Sequence, residues 1–348
     1  MPPDSWWTTQ RHTDRRPALL ARGRIRNVLR QHFEREGFLE VECAILQHSP
    51  GNEAHLHAFA TERIAAGGAR ETLYLRTSPE FACKKLIAAG ERRIFEFARV
   101  FRNREQGALH APEFTMLEWY RAEEDYQRVM ADCIDVLRTT AEAVPARTLS
   151  FRGRPCDPLS APERLTVADA FRRLGGIDLL STLSDEGEGD RDALAAAAEA
   201  AGLETAPNDG WSDIFSKLLV ARIEPNLGRE RPTLLYEYPR CEAALARAAP
   251  HDPRIAERFE LYACGVELAN GFGELTDAAE QRRRFEAEMA EKQRIFGERY
   301  PLDEDLLAAL PHMPRTSGAA LGFDRLVMLA LGAPHIEDVI WTPAGARE

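Results

Sequence analysis

The 348-residue sequence is short of several things at once. It has only four lysines, Lys84, Lys85, Lys217 and Lys292, so nearly all its positive charge is arginine. It has six cysteines, at positions 43, 83, 133, 156, 241 and 264, and no two have the close spacing of a zinc ribbon or a redox pair. A disulfide framework does not suit so long a chain. His55 and His57 are neighbours, but no third metal ligand is near them in sequence. No apolar run approaches the roughly 18 residues that span a bilayer, and the N-terminal stretch lacks the apolar core of a secretory signal. These absences set aside membrane-spanning and disulfide-stapled classes. A cytoplasmic protein with no membrane association is the expectation.

What is present is a globular composition, 44% hydrophobic and 29% charged. Lys+Arg 45 against Asp+Glu 56 gives a net charge of −11. An acidic chain is a poor non-specific binder of polyphosphate unless it carries a local basic patch. One candidate patch holds Arg11, Arg15, Arg16, Arg22, Arg24, Arg26 and Arg30, opposed only by Asp14. It reads as a solvated helix face, or as a docking surface for an acidic partner or a nucleic acid.

Apolar residues at helical spacing predict a helix over 18–36, closed by Gly37. Alternation predicts a short strand at Phe38–Glu42 and another at Thr72–Arg76. Two long strands follow at about 93–103 and 113–121, then a helix over 122–143. An acidic, Gly-rich loop at 184–192 and an alanine-rich helix at 193–201 read as an insertion away from the chemistry. Strands return at 233–238 and 257–275, with helices at 279–297 and 323–331. Strands that meet through short turns predict an α+β domain, an antiparallel sheet flanked by helices.

Four strings carry chemistry. In 101–120, FRNREQGALHAPEFTMLEWY, alternation places Phe114, Met116, Glu118 and Tyr120 on one face. An aromatic platform suits a purine, a carboxylate with a phenol suits an ammonium, and Arg102 could clamp a phosphate. In 259–275, FELYACGVELANGFGEL, a turn at Cys264-Gly265 sets Glu267 opposite Tyr262, with Glu260 on the same face. Two converging carboxylates call for a hard cation such as Mg2+, unless all these acids are simply exposed. In 316–332, the small residues Gly318, Ala319, Ala320 and Gly322 form a turn into a helix carrying Arg325, which can meet an anion. Thr77-Ser78-Pro79-Glu80 reads as a capping box, with Thr77 as N-cap and Glu80 bonding back. Together these strings describe ATP, Mg2+ and an amine-bearing substrate on one sheet.

The strand and loop from Arg102 through FTMLEWY resemble motif 2 of the class II aminoacyl-tRNA synthetases, and the small-residue turn with Arg325 resembles motif 3. TSPE, HAPEFTMLEWY and ELANGFGELTD resemble the lysyl branch, most closely those paralogues that modify a protein. The resemblance runs from about residue 18 to 343. It implies a class II catalytic domain over 18–343, with an insertion at about 145–215 and an extension at 1–17. A helix beginning near residue 18 leaves no room for an anticodon-binding barrel, and Ala320 stands where lysyl synthetases have glycine.

By this resemblance Arg102 and Arg325 are catalytic, on the α- and γ-phosphates. ATP contacts are implied for Asn103, Arg104, His110, Ala111, Phe114, Glu267, Leu268 and Gly322. Mg2+ would sit on Glu260 and Glu267. The amino acid, lysine or β-lysine, would meet Ser78, Pro79, Glu80, Glu118, Asn270 and Ala320, with Tyr120 and Glu274 on its distal ammonium. The acceptor would be a lysine of elongation factor P rather than tRNA, and the enzyme a homodimer. Rival readings are a truncated synthetase charging tRNA and a non-catalytic binding module. The sequence departs from the family at Arg104, where glutamate is usual, and at Ala111, where asparagine is usual. Cys43-Ala44 stands where motif 1 has its proline. Glu105 adjoins Arg104, but a regular strand would turn it away from the site.

Overall fold

The structure, a computed structural model, describes residues 5–344. Its centre is a nine-stranded sheet. In chain order its main strands are β1 (Leu39–Glu40), β2 (Arg93–Phe101), β3 (Glu113–Ala122), β4 (Glu163–Thr166), β5 (Thr233–Pro239), β6 (Asp252–Ala263), β7 (Val266–Gly273) and β8 (Thr316–Gly322). The spatial order is β1-β2-β3-β8-β7-β6-β5-β4, with the two-residue strand Ala248–Ala249 beside β6. The interior pairs are antiparallel, as expected, but β1 and β4 join the two edges in parallel. The last strand in sequence therefore slots between β3 and β7.

Alternation along β3 decides the layers. Leu117 and Trp119 face back into the main core with Phe33, Phe95, Leu137, Leu321 and Leu326. The helices Thr9–Arg35, Tyr126–Glu142 and Phe323–Leu331 bury their apolar stripes in that core. On the front, Tyr120 packs at one end with Phe81 and Phe285, which come from helices Glu80–Ala88 and Ala278–Phe296. The rest of the front face is left as a cleft. β8 fits here because its side chains are small: a Cβ at Gly318 would fall 2.5 Å from carbons of the Tyr120 ring. The string expected to be a turn is thus a full strand, forced extended by partners on both sides.

Other expectations shift at their edges. The first helix begins at Thr9 and runs through Pro17, so residues 9–17 extend the helix rather than precede it, while residues 1–4 of that segment lie outside the described residues. Tertiary partners offset the proline's missing hydrogen bond: Arg15 donates to the carbonyls of Glu337 and Ile340, and Arg11 lies 3.6 Å from Asp338. Those contacts also dissolve most of the basic patch. Arg22 pairs with Asp324 and Arg30 with Glu40, leaving Arg16, Arg24 and Arg26 exposed. A separate core runs from Leu165 to Leu227 and takes in Leu235, Tyr238 and Tyr262 of the sheet, so it does not coincide with the segment 145–215 expected as an insertion. Rings of Phe171, Phe215 and Trp211 stack at 5.0 and 5.3 Å within it. Leu149, Phe151 and Cys156 belong instead to the main core.

Arg22, Asp324 and Thr115 tie the first helix, the last helix and β3 together. Arg22 donates to Asp324 and, at 2.9 Å, to the Thr115 hydroxyl, while the Thr115 amide reaches Asp324 at 2.7 Å. Removing one member of a buried pair strands the other. Arg22→Ala should lower the unfolding free energy by about 3–5 kcal/mol in urea titrations, whereas Arg24→Ala, on the exposed face, should change it by about 0.5 kcal/mol or less.

Candidate active site

The floor of the cleft is one row of side chains in register across five strands. Glu96 pairs with Glu118, Glu118 with Ala320, Ala320 with Asn270, and Asn270 with Glu260. Glu267 is an odd number of residues from Asn270, so a regular strand would turn it to the back. A bulge corrects this: Glu260 pairs with Asn270 but Tyr262 pairs with Glu267, which restores Glu267 to the front.

Each carboxylate on this floor has a different partner. Arg76 holds Glu96 at 2.6 Å. Arg258 donates to Glu260 at 2.7 Å, and the Tyr262 hydroxyl donates at 2.6 Å. Lys84, itself 1% exposed, bridges Glu80 and Glu274, the latter at 2.6 Å. Burial alone would depress the Lys84 pKa, but Glu274 and Glu80 more than offset it and hold the ammonium charged. The sequence around Lys84 does not betray this role, since nothing in TSPEFACKK says which lysine turns inward. Glu118 differs from the others. Its donors are neutral, Ser78 at 2.8 Å and Tyr120 at 2.5 Å, and it is 1% exposed. Burial, then the charge of Glu80, pushes its pKa up to about 8. Burial also raises Glu274 to about 7 against the pull of Lys84.

The TSPE string is a helix start, but not the capping box expected. The Thr77 hydroxyl donates to the Pro50 carbonyl at 2.6 Å. Ser78 does the capping, accepting the Glu80 amide at 3.0 Å while it donates to Glu118. Glu80 turns to Lys84 rather than back to the cap.

A cavity of about 290 Å3 lies over the floor, and Ser78, Glu80, Arg102, His110, Ala111, Phe114, Glu267, Leu268, Asn270, Ala320, Gly322 and Arg325 line it. Glu118, Glu274, Tyr120 and Glu260 do not line it; Glu118 stands behind Ser78. Pro79 also stays out of the lining, as the residue before the helix. At one end are the cations. The Arg102 guanidinium lies 5.4 Å from the Phe114 ring centre. Arg325 donates to the carbonyls of Leu109 and Glu267 and meets His110 Nε2 at 2.6 Å. A guanidinium has no lone pair, so Nε2 accepts, which requires a neutral imidazole. Burial, then Arg325, lowers the His110 pKa accordingly.

The loop after β2 corrects the reading of Arg104 and Glu105. Arg104 has φ +64° and leaves the cavity, pairing with Glu298 and lying 5.8 Å from the Phe296 ring centre. That left-handed residue reverses the alternation, so Glu105 lines the cavity, 4.0 Å from Arg102. Asn103 is exposed and outside the lining; its amide donates to the His57 carbonyl at 2.7 Å. Glu53, Leu56 and Leu245, also in the lining, come from irregular segments with no periodicity to betray them.

Glu260, Glu267 and a third carboxylate, Glu224, converge. Burial raises the pKa of Glu224 and Glu267, and in both cases Glu260 is the next cause. Carboxylate oxygens are the donors a hard divalent cation such as Mg2+ takes, so the chemistry of Glu260 and Glu267 suits one.

Comparison with known proteins agrees with this architecture. The model of the class II tRNA synthetases (D, K and N) matches residues 4–345. The chain belongs to that family. Over 92% of its length it is 42% identical to the elongation factor P–(R)-β-lysine ligase of Edwardsiella ictaluri, covering 93% of that protein. The ligases of the same name from Erwinia tasmaniensis and Haemophilus influenzae are 41% and 40% identical, each over 92% of the chain and 93% of the relative. Among the described residues no helix is long and apolar enough to cross a membrane.

Glu118 gives the site a measurable pH signature. Between an unfolded value near 4.5 and the folded value of about 8, the native state keeps a proton that the unfolded chain has lost. Stability from this group is therefore full below that window and is lost as pH rises through it. Glu118→Gln should flatten the decline of melting temperature from pH 5 to pH 8; an unchanged slope would show that Glu118 is ionised throughout.

Proposed function

We propose that this protein activates a lysine-type amino acid, (R)-β-lysine or lysine, with ATP and transfers it to a lysine side chain of elongation factor P. The observation that carries the reading is the polarity of one cavity: arginines over an aromatic ring at one end, and acids at the other. Behind that end, outside the lining, Glu118 has neutral donors alone, so its ionised form lacks the cation that a substrate ammonium would supply. The names of the relatives support the acceptor.

In the first step the amino acid carboxylate attacks the α-phosphorus of ATP and pyrophosphate leaves. Arg102 and Arg325 hold the phosphates, bidentate where geometry allows, and Phe114 offers its face to adenine once Arg102 moves onto phosphate. Glu105 takes the cavity position that Arg104 vacates. Ser78, Glu80 and Asn270 receive the ammonium groups, with Glu118, Tyr120 and Glu274 behind them. Glu260 and Glu267 would hold Mg2+, which neutralises phosphate charge when bound. In the second step the neutral acceptor amine attacks the acyl carbon, the bond from that carbon to the phosphate oxygen breaks, AMP leaves, and the proton lost by the nitrogen passes to solvent. The residues position and stabilise charge; no side-chain nucleophile is required. The homodimer, the exclusion of tRNA and a cytoplasmic setting belong to the same reading.

The primary test is ATP–pyrophosphate exchange with (R)-β-lysine and with α-lysine. Exchange that requires one of them and Mg2+ is expected, and active protein that exchanges with neither would favour a binding module. Incubation with elongation factor P should then raise its intact mass by one lysyl unit, whereas labelled tRNA with unmodified factor would favour a synthetase.

Ala320 offers a test of isomer choice. Its methyl projects from the floor row between Glu118 and Asn270, the space an α-amino group would need. A methyl-sized change in a pocket shifts discrimination by about 1–3 kcal/mol, or roughly 10–200-fold. Ala320→Gly should raise kcat/KM for α-lysine relative to β-lysine within that range. An unchanged ratio would mean that Ala320 only packs the strand.

A further inference from the structure

A second cavity, of about 430 Å3, opens beside the first. The two share Glu53, Leu56, Leu245, Asn270 and Phe272, so they adjoin. The second cavity lies between the loop that carries Glu53, the insertion at Trp211 and the helix Ala278–Phe296, which contributes Glu288 and Glu291. Its carboxylates are Glu53, Asp213, Glu242, Glu288 and Glu291, against one arginine, Arg258. That arginine is already committed to Glu260 and to the Glu242 carbonyl. The cavity therefore carries an excess of acid over its two basic residues, Arg258 and His55.

Its carboxylates are not equally satisfied. Glu288 accepts the Ala54 amide at 2.8 Å, Asp213 the Gly210 amide at 2.8 Å, and Glu291 pairs with Arg294. Glu242 is different: among the described residues its buried Oε1 has no hydrogen-bond partner. Burial raises its pKa against the opposing pull of Ser212 and Arg258. At the junction Asn270 Oδ1 is also buried and, among the described residues, without a donor. Two stranded acceptors along an acidic passage call for a ligand that brings N–H donors and positive charge. Both ends of the reaction need an ammonium, but the amino acid already has acids on the floor. The passage comes from the side.

We infer that the second cavity receives the side-chain ammonium of the acceptor protein, with Glu242 as its main anchor and Glu53 at the junction with the adenylate site. The inference rests on the transfer reaction proposed above. It assigns the acceptor amine a route separate from that of ATP and the amino acid, along which the insertion forms one wall.

The test uses full-length Glu242→Gln, and the double variant Glu242→Gln/Glu291→Gln in case the single change is absorbed. Three readouts are compared with wild type: pyrophosphate exchange with (R)-β-lysine, transfer to elongation factor P by intact mass, and hydroxamate formation with hydroxylamine. Hydroxylamine attacks the same acyl carbon but is largely uncharged at neutral pH, so it has no use for the acidic passage. Loss of an ionic hydrogen bond should raise KM for the factor about tenfold or more, while exchange and hydroxamate yield stay within about twofold. Unchanged transfer by both variants overturns the inference. So does a rise in KM for (R)-β-lysine in exchange with transfer following in proportion, which would make the cavity the amino acid's entrance. A wild-type protein that does not exchange at all defeats the functional reading itself, and this inference with it.

Discussion

Everything in this site follows from the cost of burying carboxylates on one face of a sheet. An isolated ionised carboxylate cannot be taken from water without a partner, so each acid in the floor must find a cation, collect hydrogen bonds or keep its proton. The molecule uses all three solutions within one row. Arg76 and Arg258 neutralise Glu96 and Glu260 at the flanks. Lys84 serves two acids at once, Glu80 and Glu274. Glu118, in between, has only Ser78 and Tyr120 and so tends to keep its proton. The resident cations are thus rationed: they secure the edges of the floor and leave a gap in positive charge where a substrate ammonium would be accommodated.

That arrangement depends on β8. Its Gly318, Ala319 and Ala320 bring β3 and β7 into one continuous surface without filling the cleft above it. Tyr120 can lie flat over Gly318 because no Cβ is there, and this brings its hydroxyl back to Glu118 in its own strand. A larger residue at 318 would displace the phenol, remove a donor from Glu118 and raise the cost of ionising it. Packing and electrostatics are the same constraint here, seen from two sides.

Much of this was legible in the sequence because β-strand alternation is strict. Met116, Glu118 and Tyr120 could be assigned to one face, and Tyr262 to a position opposite Glu267, from parity and turn length alone. Legibility failed wherever parity broke. The bulge in β7 and the left-handed Arg104 each shift the count by one, and the second exchanges which of two neighbouring residues faces the nucleotide end. The role of Lys84 depended on Glu274, almost two hundred positions away, and Thr77 lost its capping role to a carbonyl in a loop without pattern. The arginine face of the first helix read as a free surface because Asp324 and the carbonyls near the C-terminus lie far off in sequence, and nothing marks Glu40, ten residues on, as the partner of Arg30. Such contacts arise only from the assembled fold.

The same electrostatics bear on which acceptor the cleft would favour. A phosphodiester backbone near this cleft would face Glu53, Glu242, Glu288 and Glu291 across a low-dielectric space, with Arg258 already spent on Glu260. Like charges juxtaposed at an interface cost several kcal/mol and slow the encounter. The net charge of −11 adds repulsion at longer range, and the arginines that might have opposed it are largely tied into the fold. A protonated amine on a flexible side chain meets the opposite situation: attraction at distance, stranded oxygens to bond within, and a passage lined by acids up to the junction. For the acceptor proposed above, that difference in sign favours an amine over a phosphodiester, and a modest change in contact area would not reverse it.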